Sequence, residues 1–373
     1  MLAVSDKHRQ QMMEWWNQGK SYLTGLVGSF SHQSRNVDLI GLVFNDQYIK
    51  LLKIKRSSSH YEVEHFNLID LPEGLIKDLE LKDSIAVAAI LKEIISDSGL
   101  HTTDVVLSIS RSSAIVKTIN VDSRLHVDEI ESRVWLEADK LFPSLIGDIY
   151  LDFAINGPLS HDATQLEVLI VACRKNQLNP YLDMIKLAGL NVKVVDVNYY
   201  AYERALLLMT KHAPDVKTIA FFNLNFRLMD LLVVHENKLV YTHELAYDGH
   251  HLLKLRDVKT TEPTNDFLEM SQDILKNSIG LHLKHTLQFF YSSKPNIRID
   301  RIILGGDVPG TVPGVVNYIK QETGKEVVLA DPFVDMTFSN TVNQARLVQF
   351  APGLVLCCGL ALTKLSDGRN HAN

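Results

Sequence analysis

Apolar runs separated by short polar turns make up most of the chain after its first 36 residues. Val37–Phe44, Tyr48–Ile54 and Tyr61–Leu71 are three such runs, joined by turn-forming residues, and they predict a three-stranded meander. Apolar positions at helical spacing then predict a helix over Ser84–Ser96, and another apolar run predicts a strand over Asp104–Ser110. The chain therefore opens with three strands, a helix and a further strand.

The same order of elements returns roughly 180 residues further along the chain. A second meander is predicted over Val216–Phe222, Arg227–Val234 and Leu239–Leu245, and a later strand over Ile299–Leu304. The remaining predicted elements are Pro180–Leu187, Val192–Val197 and Tyr199–Lys211 in the first half, and Val315–Gln321 and Pro352–Leu365 in the second. This repeat predicts an α/β fold of the duplicated actin-like (ribonuclease-H-like) type, because a simple doubly wound sheet lacks the opening meander.

Two segments interrupt the repeat and predict inserted subdomains. The first, about residues 111–175, has the pattern of strand, helix, strand and strand, with the helix over Val127–Phe142. The second, about residues 246–293, is mainly helical, and Gly280 marks a bend or a join between two helices. We expect residues 37–213 to form a first actin-like half and residues 214–373 a second.

Residues 1–36 stand apart from the repeat and predict an amphipathic helix followed by a linker. Trp15, Trp16 and Leu23 are among the apolar residues at helical spacing, and the region carries a small positive charge in an acidic protein. Residues 8–27 are therefore a candidate for a membrane surface or a partner. The alternative, a helix that docks on its own domain, stays equally open.

Composition narrows the class of protein. The 373 residues are 46% hydrophobic and 22% charged, as in ordinary globular proteins, and the net charge is −6. An acidic chain without a basic surface is a poor nucleic-acid binder. We find no secretory signal and no apolar run that approaches the length of a membrane span, and the cysteines have the surroundings of core residues in a reducing compartment. The prediction is a cytoplasmic protein.

The candidate chemistry lies in the turns of the two opening hairpins, which in this fold face a nucleotide between the halves. A phosphate turn needs glycine, so that backbone N–H groups approach the oxygens, and an aspartate that organises Mg²⁺. The first hairpin, Ile40–Asp46, resembles the actin-superfamily loop Ile-Gly-x-Asp-x-Gly, with Val43 at the aspartate position and Asn45 at the second glycine position. Asp46 at the tip is a candidate substitute acid, although its ordinary role is to form the turn.

The second hairpin departs from the pattern in the same way. Asn223 stands at the aspartate position and Asn225 at the glycine position. Asparagine tolerates turn geometry, but its side chain blocks close backbone approach and carries no charge for Mg²⁺. Gly305 and Gly306 are better matched, and resemble the superfamily's adenosine-side loop at a strand-to-helix turn. We therefore expect weak or lost Mg²⁺ binding, leave ATP or ADP binding open, and predict no catalytic residue and no metal site.

Several short motifs, which follow one another along the chain, narrow the resemblance from a superfamily to a family. The set includes Leu71–Ile76, Leu151–Phe153, Val171–Lys175, Ala188–Leu190, Val195–Val197, Ala351–Pro352 and Gly359–Leu362. Together they resemble the PilM family of type IV pilus assembly proteins, and the departures in the hairpins resemble its divergent MshI-type members. The resemblance implies a cytoplasmic scaffold, peripheral to the bacterial inner membrane, that binds the cytoplasmic tail of a PilN-like membrane protein beside the first insertion.

A candidate surface for that partner lies on the predicted helix Val127–Phe142. Ile130, Val134 and Ala138 form an apolar ridge that we assign to the core, and Trp135 and Phe142 form a second ridge on a charged flank. Exposed aromatic residues of this kind are typical of binding hot spots. The alternative is that both aromatics pack on neighbouring strands.

Three other functions are alternatives to a scaffold. The main alternative is an ATP-binding actin-like ATPase of pilus assembly, for which Gly305 and Gly306 are the local support. A sugar kinase needs competent phosphate loops and a catalytic base, which we do not find. The cytoplasmic head of a type II secretion component has a similar degenerate fold. Such a component carries a membrane span after its head, which we do not expect in this sequence. Homo-oligomerisation stays open.

Overall fold

The structure is a computed structural model that describes residues 34–35, 39–57, 60–77, 80–143, 146–211, 215–256, 265–363 and 365–366. The predicted N-terminal helix lies outside the described residues. The described residues fall into two compact units. Of the described residues, those within 34–54, 67–198 and 360–366 form the first unit, and those within 55–66 and 199–359 form the second.

The chain up to residue 198 contains eleven strands and three α-helices in the described residues, interrupted by short 3-10 turns. In chain order they are β1 Ser34–Arg35, β2 Ile40–Phe44, β3 Tyr48–Arg56, β4 Tyr61–Asp70, β5 Ile76–Lys77, β6 Glu80–Leu81, α1 Ser84–Ser98, β7 Asp104–Ile109, β8 Ala114–Asp122, α2 Val127–Leu141, β9 Ile149–Leu159, β10 Asp162–Arg174, α3 Lys175–Leu187 and β11 Asn191–Val197.

Local chemistry explains where the first helix begins and ends. The Asp83 side chain caps α1 by accepting from the backbone N–H groups of Ile85 and Ala86 at 3.1 and 2.9 Å. Gly99 ends it in the left-handed conformation, with φ of 65°. The first unit's central sheet has the strand order β11-β7-β2-β3-β4, in which the meander joins two parallel strands.

The first insertion is a three-stranded sheet with one helix on its face. Its strand order is β8-β10-β9, with both pairings antiparallel. The apolar face of α2 packs on this sheet through Ile130, Val134 and Ala138, which are all buried, as the ridge in the sequence predicts. Glu137 on the same helix pairs with Lys117 of β8 at 2.9 Å. The predicted order of strand, helix, strand and strand is confirmed.

The rest of the chain continues as α4 Asn198–Met209, β12 Thr218–Leu224, β13 Leu228–His235, β14 Lys238–Ala246, α5 His250–Arg256, α6 Asn265–Leu275, a π-helical segment Lys276–Gly280, α7 Leu281–Ser293, β15 Arg301–Gly305, α8 Asp307–Thr311, α9 Val315–Thr323, β16 Glu326–Leu329, β17 Met336–Phe338, α10 Gln344–Phe350, a 3-10 segment Ala351–Leu354, α11 Val355–Ala361 and β18 Leu365–Ser366. Gly280, predicted as a join, ends the π-helical segment between α6 and α7.

A five-stranded sheet of order β14-β13-β12-β15-β16 forms the centre of the second unit. One of its faces packs on α4 and the other on the helical insertion, so β12 is buried along its whole length. Residues of β4 near Tyr61 also group with this unit, where they pair in parallel with β17. The second meander and its following parallel strand are as the repeat predicts.

The last helical stretch begins earlier than the sequence predicts. We expected a helix from Pro352, whereas helix runs from Gln344 and changes to 3-10 geometry around Pro352, because proline lacks the N–H that an α-helix interior needs. Gln344–Ala361 is 18 residues long and apolar enough to cross a membrane by length and composition, which the sequence analysis did not expect. More than half of it (56%) is buried in the protein, as in a core helix.

Candidate functional site

The turn of the first hairpin is closed by its own asparagine. Asn45 lies between β2 and β3, and its Oδ1 accepts from the backbone N–H groups of Gln47 and Tyr48 at 3.0 and 2.7 Å. These are the amide groups that a phosphate turn would offer to a ligand. Val43, at the position of the missing aspartate, is half-buried and lies opposite Lys50 on β3.

Asp46, the candidate substitute acid, lies at the tip of this hairpin, and its charge affects the pKa of a tyrosine on α3. Phe44 packs against that tyrosine, Tyr181, with ring centroids 6.0 Å apart. Burial, together with the nearby charges of Asp46 and Glu80, raises the pKa of Tyr181 to about 12. The tip of the first hairpin is therefore packed against a helix of its own unit.

In the second hairpin, the asparagine at the aspartate position is buried in a hydrogen-bonded cluster. The Nδ2 of Asn223 donates to the Oδ2 of Asp230 at 2.8 Å and to the hydroxyl of Tyr202 at 2.7 Å. Asn223 and Asp230 are paired residues of β12 and β13, and Tyr202 comes from α4. All three side chains are less than 6% exposed, so this cluster is internal.

Burial controls the protonation of this cluster. Burial and repulsion from Glu244 raise the pKa of Asp230, the hydrogen bond from Asn223 lowers it, and the net result is a pKa of about 7. The pKa of Tyr202 is raised well above its ordinary value, first by burial and then by the charges of Asp230, Glu244 and Asp307. Three carboxyl groups therefore influence one tyrosine at this end of the sheet.

Asn225 connects the second hairpin to the glycine turn. Its Oδ1 accepts from the backbone N–H of Asp307 at 3.0 Å, and its carbonyl oxygen accepts from the hydroxyl of Tyr247. Asp307 is the first residue of α8 and directly follows Gly306. The two elements that the sequence assigned to phosphate and adenosine are thus bonded to each other through the asparagine side chain.

Gly305 and Gly306 are required by packing within the protein. Gly306 has φ of 94°, and a Cβ on it would lie 2.2 Å from the carbonyl oxygen of Leu224. A Cβ on Gly305 would lie 2.6 Å from the ring of Phe221. The Gly306 N–H donates to the carbonyl of Pro352 at 2.7 Å. The turn therefore needs two glycines whether or not a nucleotide binds.

Neither hairpin has a carboxylate at the position where the resemblance predicts an acid. Val43 and Asn223 stand where the fold family places acids, and carboxylate oxygens are the protein ligands that Mg²⁺ prefers. Asn45 and Asn225 already accept from N–H groups that a phosphate would use. Within the described part of the chain, no group of three or more His, Cys, Asp or Glu side chains has the arrangement of a metal site.

The two aromatic residues assigned to partner binding are core residues in this structure. Trp135 is 8% exposed and Phe142 is 5% exposed, and both pack with Ile149, Val168 and the rest of the insertion's core. This is the packing alternative that the sequence left open. A partner would not reach either side chain without rearrangement of that core, and Leu136, which is 49% exposed, is the large apolar residue that α2 presents to solvent.

Sequence reasoning did not single out two features of the site. Lys50 is 4% exposed and lies across from Val43, and the signal for it is a lysine inside the predicted strand Tyr48–Ile54. Tyr202 belongs to a predicted helix, but nothing in the spacing indicates that its hydroxyl reaches Asn223. That contact depends on how α4 packs on β12.

The repeated meander, the parallel strand that follows it and the helices around both sheets define an α/β protein of the actin-like class. The chain belongs to the type IV pilus assembly protein PilM family, whose model matches residues 41–257 and 266–365.

A solved structure similar to this chain has the same fold, and two others are more distant in structure. A PilM–PilN type IV pilus biogenesis complex superposes with a TM-score of 0.69 at 20% identity, over 88% of this chain and 98% of that one. The ethanolamine utilization protein EutJ from Carboxydothermus hydrogenoformans has a TM-score of 0.47 at 13% identity, over 95% of this chain and 99% of that one. The cytoplasmic domain of EpsL, an inner membrane component of the Vibrio cholerae type II secretion system, has a TM-score of 0.34 at 16% identity, over 62% and 79%.

Proposed function

We propose that this protein is a cytoplasmic scaffold of type IV pilus assembly that binds the cytoplasmic tail of a PilN-like inner-membrane protein, and that its nucleotide site is degenerate. Membership of the PilM family over nearly the whole chain supports the pilus role, and a structure similar to this chain is that of a PilM–PilN complex. The departures in both hairpins favour a divergent, MshI-type member that serves an MSHA-like pilus.

The observation that favours a scaffold over an ATPase is the use of asparagine side chains inside both hairpins. Asn45 accepts two backbone N–H groups of its own turn, and Asn225 accepts the N–H of Asp307. A bound phosphate would have to displace these bonds, each of which contributes roughly 1 kcal/mol to stability. Val43 and Asn223 also leave no carboxylate at the two positions where the resemblance predicts an acid to hold a magnesium ion.

The partner is tested with a synthetic peptide of the cytoplasmic tail of the PilN-like protein from the same bacterium. We expect saturable binding to the full chain by calorimetry, with the same affinity in the presence and absence of magnesium and ATP. A scrambled peptide of the same composition is the control. Failure of the native peptide, and of tails from other pilus-assembly proteins, to bind above the scrambled peptide would reject the scaffold role.

The ATPase alternative is tested separately by magnesium-dependent ATP hydrolysis. We expect turnover no greater than that of Asn223→Ala, a variant that removes the buried amide at the aspartate position. Turnover well above this control would establish an ATPase and reject the degenerate site, while leaving the peptide result to decide the partner.

We further propose that residues 8–27 bind a membrane surface, on the evidence of their amphipathic pattern and positive charge in the sequence. Sedimentation with anionic vesicles tests this, with a variant that lacks residues 1–33 as the matched control. Equal sedimentation of the two proteins would assign the segment to another role. Light scattering of the same samples decides whether the protein is a homo-oligomer.

A further inference from the structure

A row of polar residues crosses the second unit's sheet at the end of its second hairpin. Glu244, Asp230, Asn223 and Gly305 lie side by side on β14, β13, β12 and β15, because each is the paired residue of the next. Paired residues of neighbouring strands point to the same face of a sheet. On that face the row borders an apolar core, so Asp230 is 5% exposed and Asn223 is 4% exposed.

The surroundings of Asp230 favour its neutral form. Its hydrogen-bond donor in this cluster is the uncharged amide of Asn223, and the paired residue on its other side is Glu244, a second acid. The helix α4 covers the row and contributes the hydroxyl of Tyr202. The charge of Asp307 on α8 is one of those that raise the pKa of this tyrosine. The cation of the same helix, Arg204, donates its Nε to the carbonyl of Gly359 at 3.0 Å.

A carboxyl group in this position stabilises the hairpin only while it holds a proton. The protonated group fits an apolar border and accepts from Asn223, whereas the ionised group is a buried charge next to Glu244. Asn223 also donates to the hydroxyl of Tyr202. Asn225, two residues further along the chain, accepts from the backbone N–H of Asp307. Disturbance of the pair Asn223–Asp230 therefore reaches both α4 and the glycine turn.

We propose that Asp230 is a proton-operated lock on the second hairpin, which holds β12, β13 and the Gly305–Gly306 turn together when protonated and releases them when ionised. In the opened hairpin the carboxyl is solvated and titrates near the ordinary value of 3.8, whereas in the closed hairpin its pKa is about 7. The closed form then binds more protons between these two values. Opening becomes easier as the pH rises from about 4 to 7, and its dependence on pH ends above 7.

Hydrogen exchange of the full chain tests the lock, with Asp230→Asn as the neutral mimic. Peptides that cover residues 218–235 are compared between the wild type and the variant at the same pH, so that the intrinsic exchange rate cancels. We expect nearly equal exchange only below about pH 3.8, where the carboxyl holds its proton in both the closed and the opened hairpin. Between pH 5 and 7 the wild type should exchange faster than the variant by a factor that grows up to about tenfold per pH unit, and above pH 7 the ratio should stay constant.

Two further variants make the result specific. Glu244→Gln removes the repulsion that favours the protonated form, so it should protect the hairpin above pH 7 relative to the wild type. Asp122 lies on a strand of the other unit and pairs with Arg124 at 2.6 Å. The control variant Asp122→Asn should therefore exchange over residues 218–235 at the same rate as the wild type at every pH. A ratio between wild type and Asp230→Asn that does not change with pH would overturn the proposal. If Asp230→Asn does not fold, equal exchange of Glu244→Gln and wild type above pH 7 would overturn it instead.

Discussion

The side chain of Asn225 accepts a hydrogen bond from the backbone N–H of Asp307, with Oδ1 and N separated by 3.0 Å. The two residues are 82 positions apart in the chain, at the end of a hairpin and at the start of a short helix. The sequence pattern assigns these two segments to a phosphate turn and an adenosine-side turn. Here a protein side chain joins them.

We expect Asn225→Ala to lower the free energy of unfolding by about 1–2 kcal/mol, because the half-buried N–H of Asp307 loses its acceptor. Urea unfolding measures the change. Asn343→Ala is the matched control, since Asn343 also accepts a backbone N–H with its Oδ1, but on the exposed helix start at Arg346. A cost for Asn225→Ala smaller than that of the control would contradict a structural role for the bond between hairpin and turn.

Gly306→Ala should destabilise the second unit by about 3 kcal/mol or more. The substitution combines a left-handed φ of 94° with a Cβ only 2.2 Å from the Leu224 carbonyl oxygen, so both the backbone and its neighbour must move. Gly324→Ala isolates the first effect, because Gly324 has φ of 62° and nothing within 4 Å of its Cβ position. We expect that variant to lose about 1 kcal/mol. Thermal unfolding compares the two, and equal losses would mean that the glycine turn is not closely packed.

Two buried hydroxyl groups, one on α7 and one on α9, should be replaceable with a gain in stability. The Oγ1 of Thr286 and the hydroxyl of Tyr318 are buried without a hydrogen-bond partner. Thr286→Val and Tyr318→Phe remove each hydroxyl at nearly constant shape, so each should raise the free energy of unfolding by about 1 kcal/mol. Thr323→Val should instead lower the free energy of unfolding, since the Thr323 hydroxyl donates to the Ile319 carbonyl at 2.7 Å. A loss of stability in either of the first two variants would show that their hydroxyl groups are satisfied in solution.

Trp135→Ala should destabilise the first insertion by about 3–5 kcal/mol, because Trp135 is a core residue on the insertion's sheet. Hydrogen exchange over residues 114–174 measures this loss. Leu136→Ala, at the neighbouring exposed position, should leave exchange unchanged. Peptide binding of both variants then separates core from surface: if Trp135→Ala binds the tail less tightly while exchange stays as in the wild type, Trp135 contacts the partner directly.

The opening hairpins illustrate how much of the site local sequence could predict. Asn45 and Asn225 are recognisable as turn residues in place of glycine, and the side chain of Asn45 bonds only two and three residues away. Such bonds depend on nearby backbone and are predictable from the turn itself. The π-helical join at Gly280 is similar, in that glycine spacing indicated an interruption but not its geometry.

The sequence by itself determined the order of strands and helices, the repeat of that order and the asparagines in the turns of both hairpins, because periodicity and turn chemistry act over a few residues. Tertiary structure alone decided that Trp135 is buried, that Tyr202 reaches Asn223 and that Asp230 lies between an amide and Glu244. Those outcomes depend on strand register and on which helix covers which face. Register and packing are set by the whole core, so no short stretch of sequence contains them.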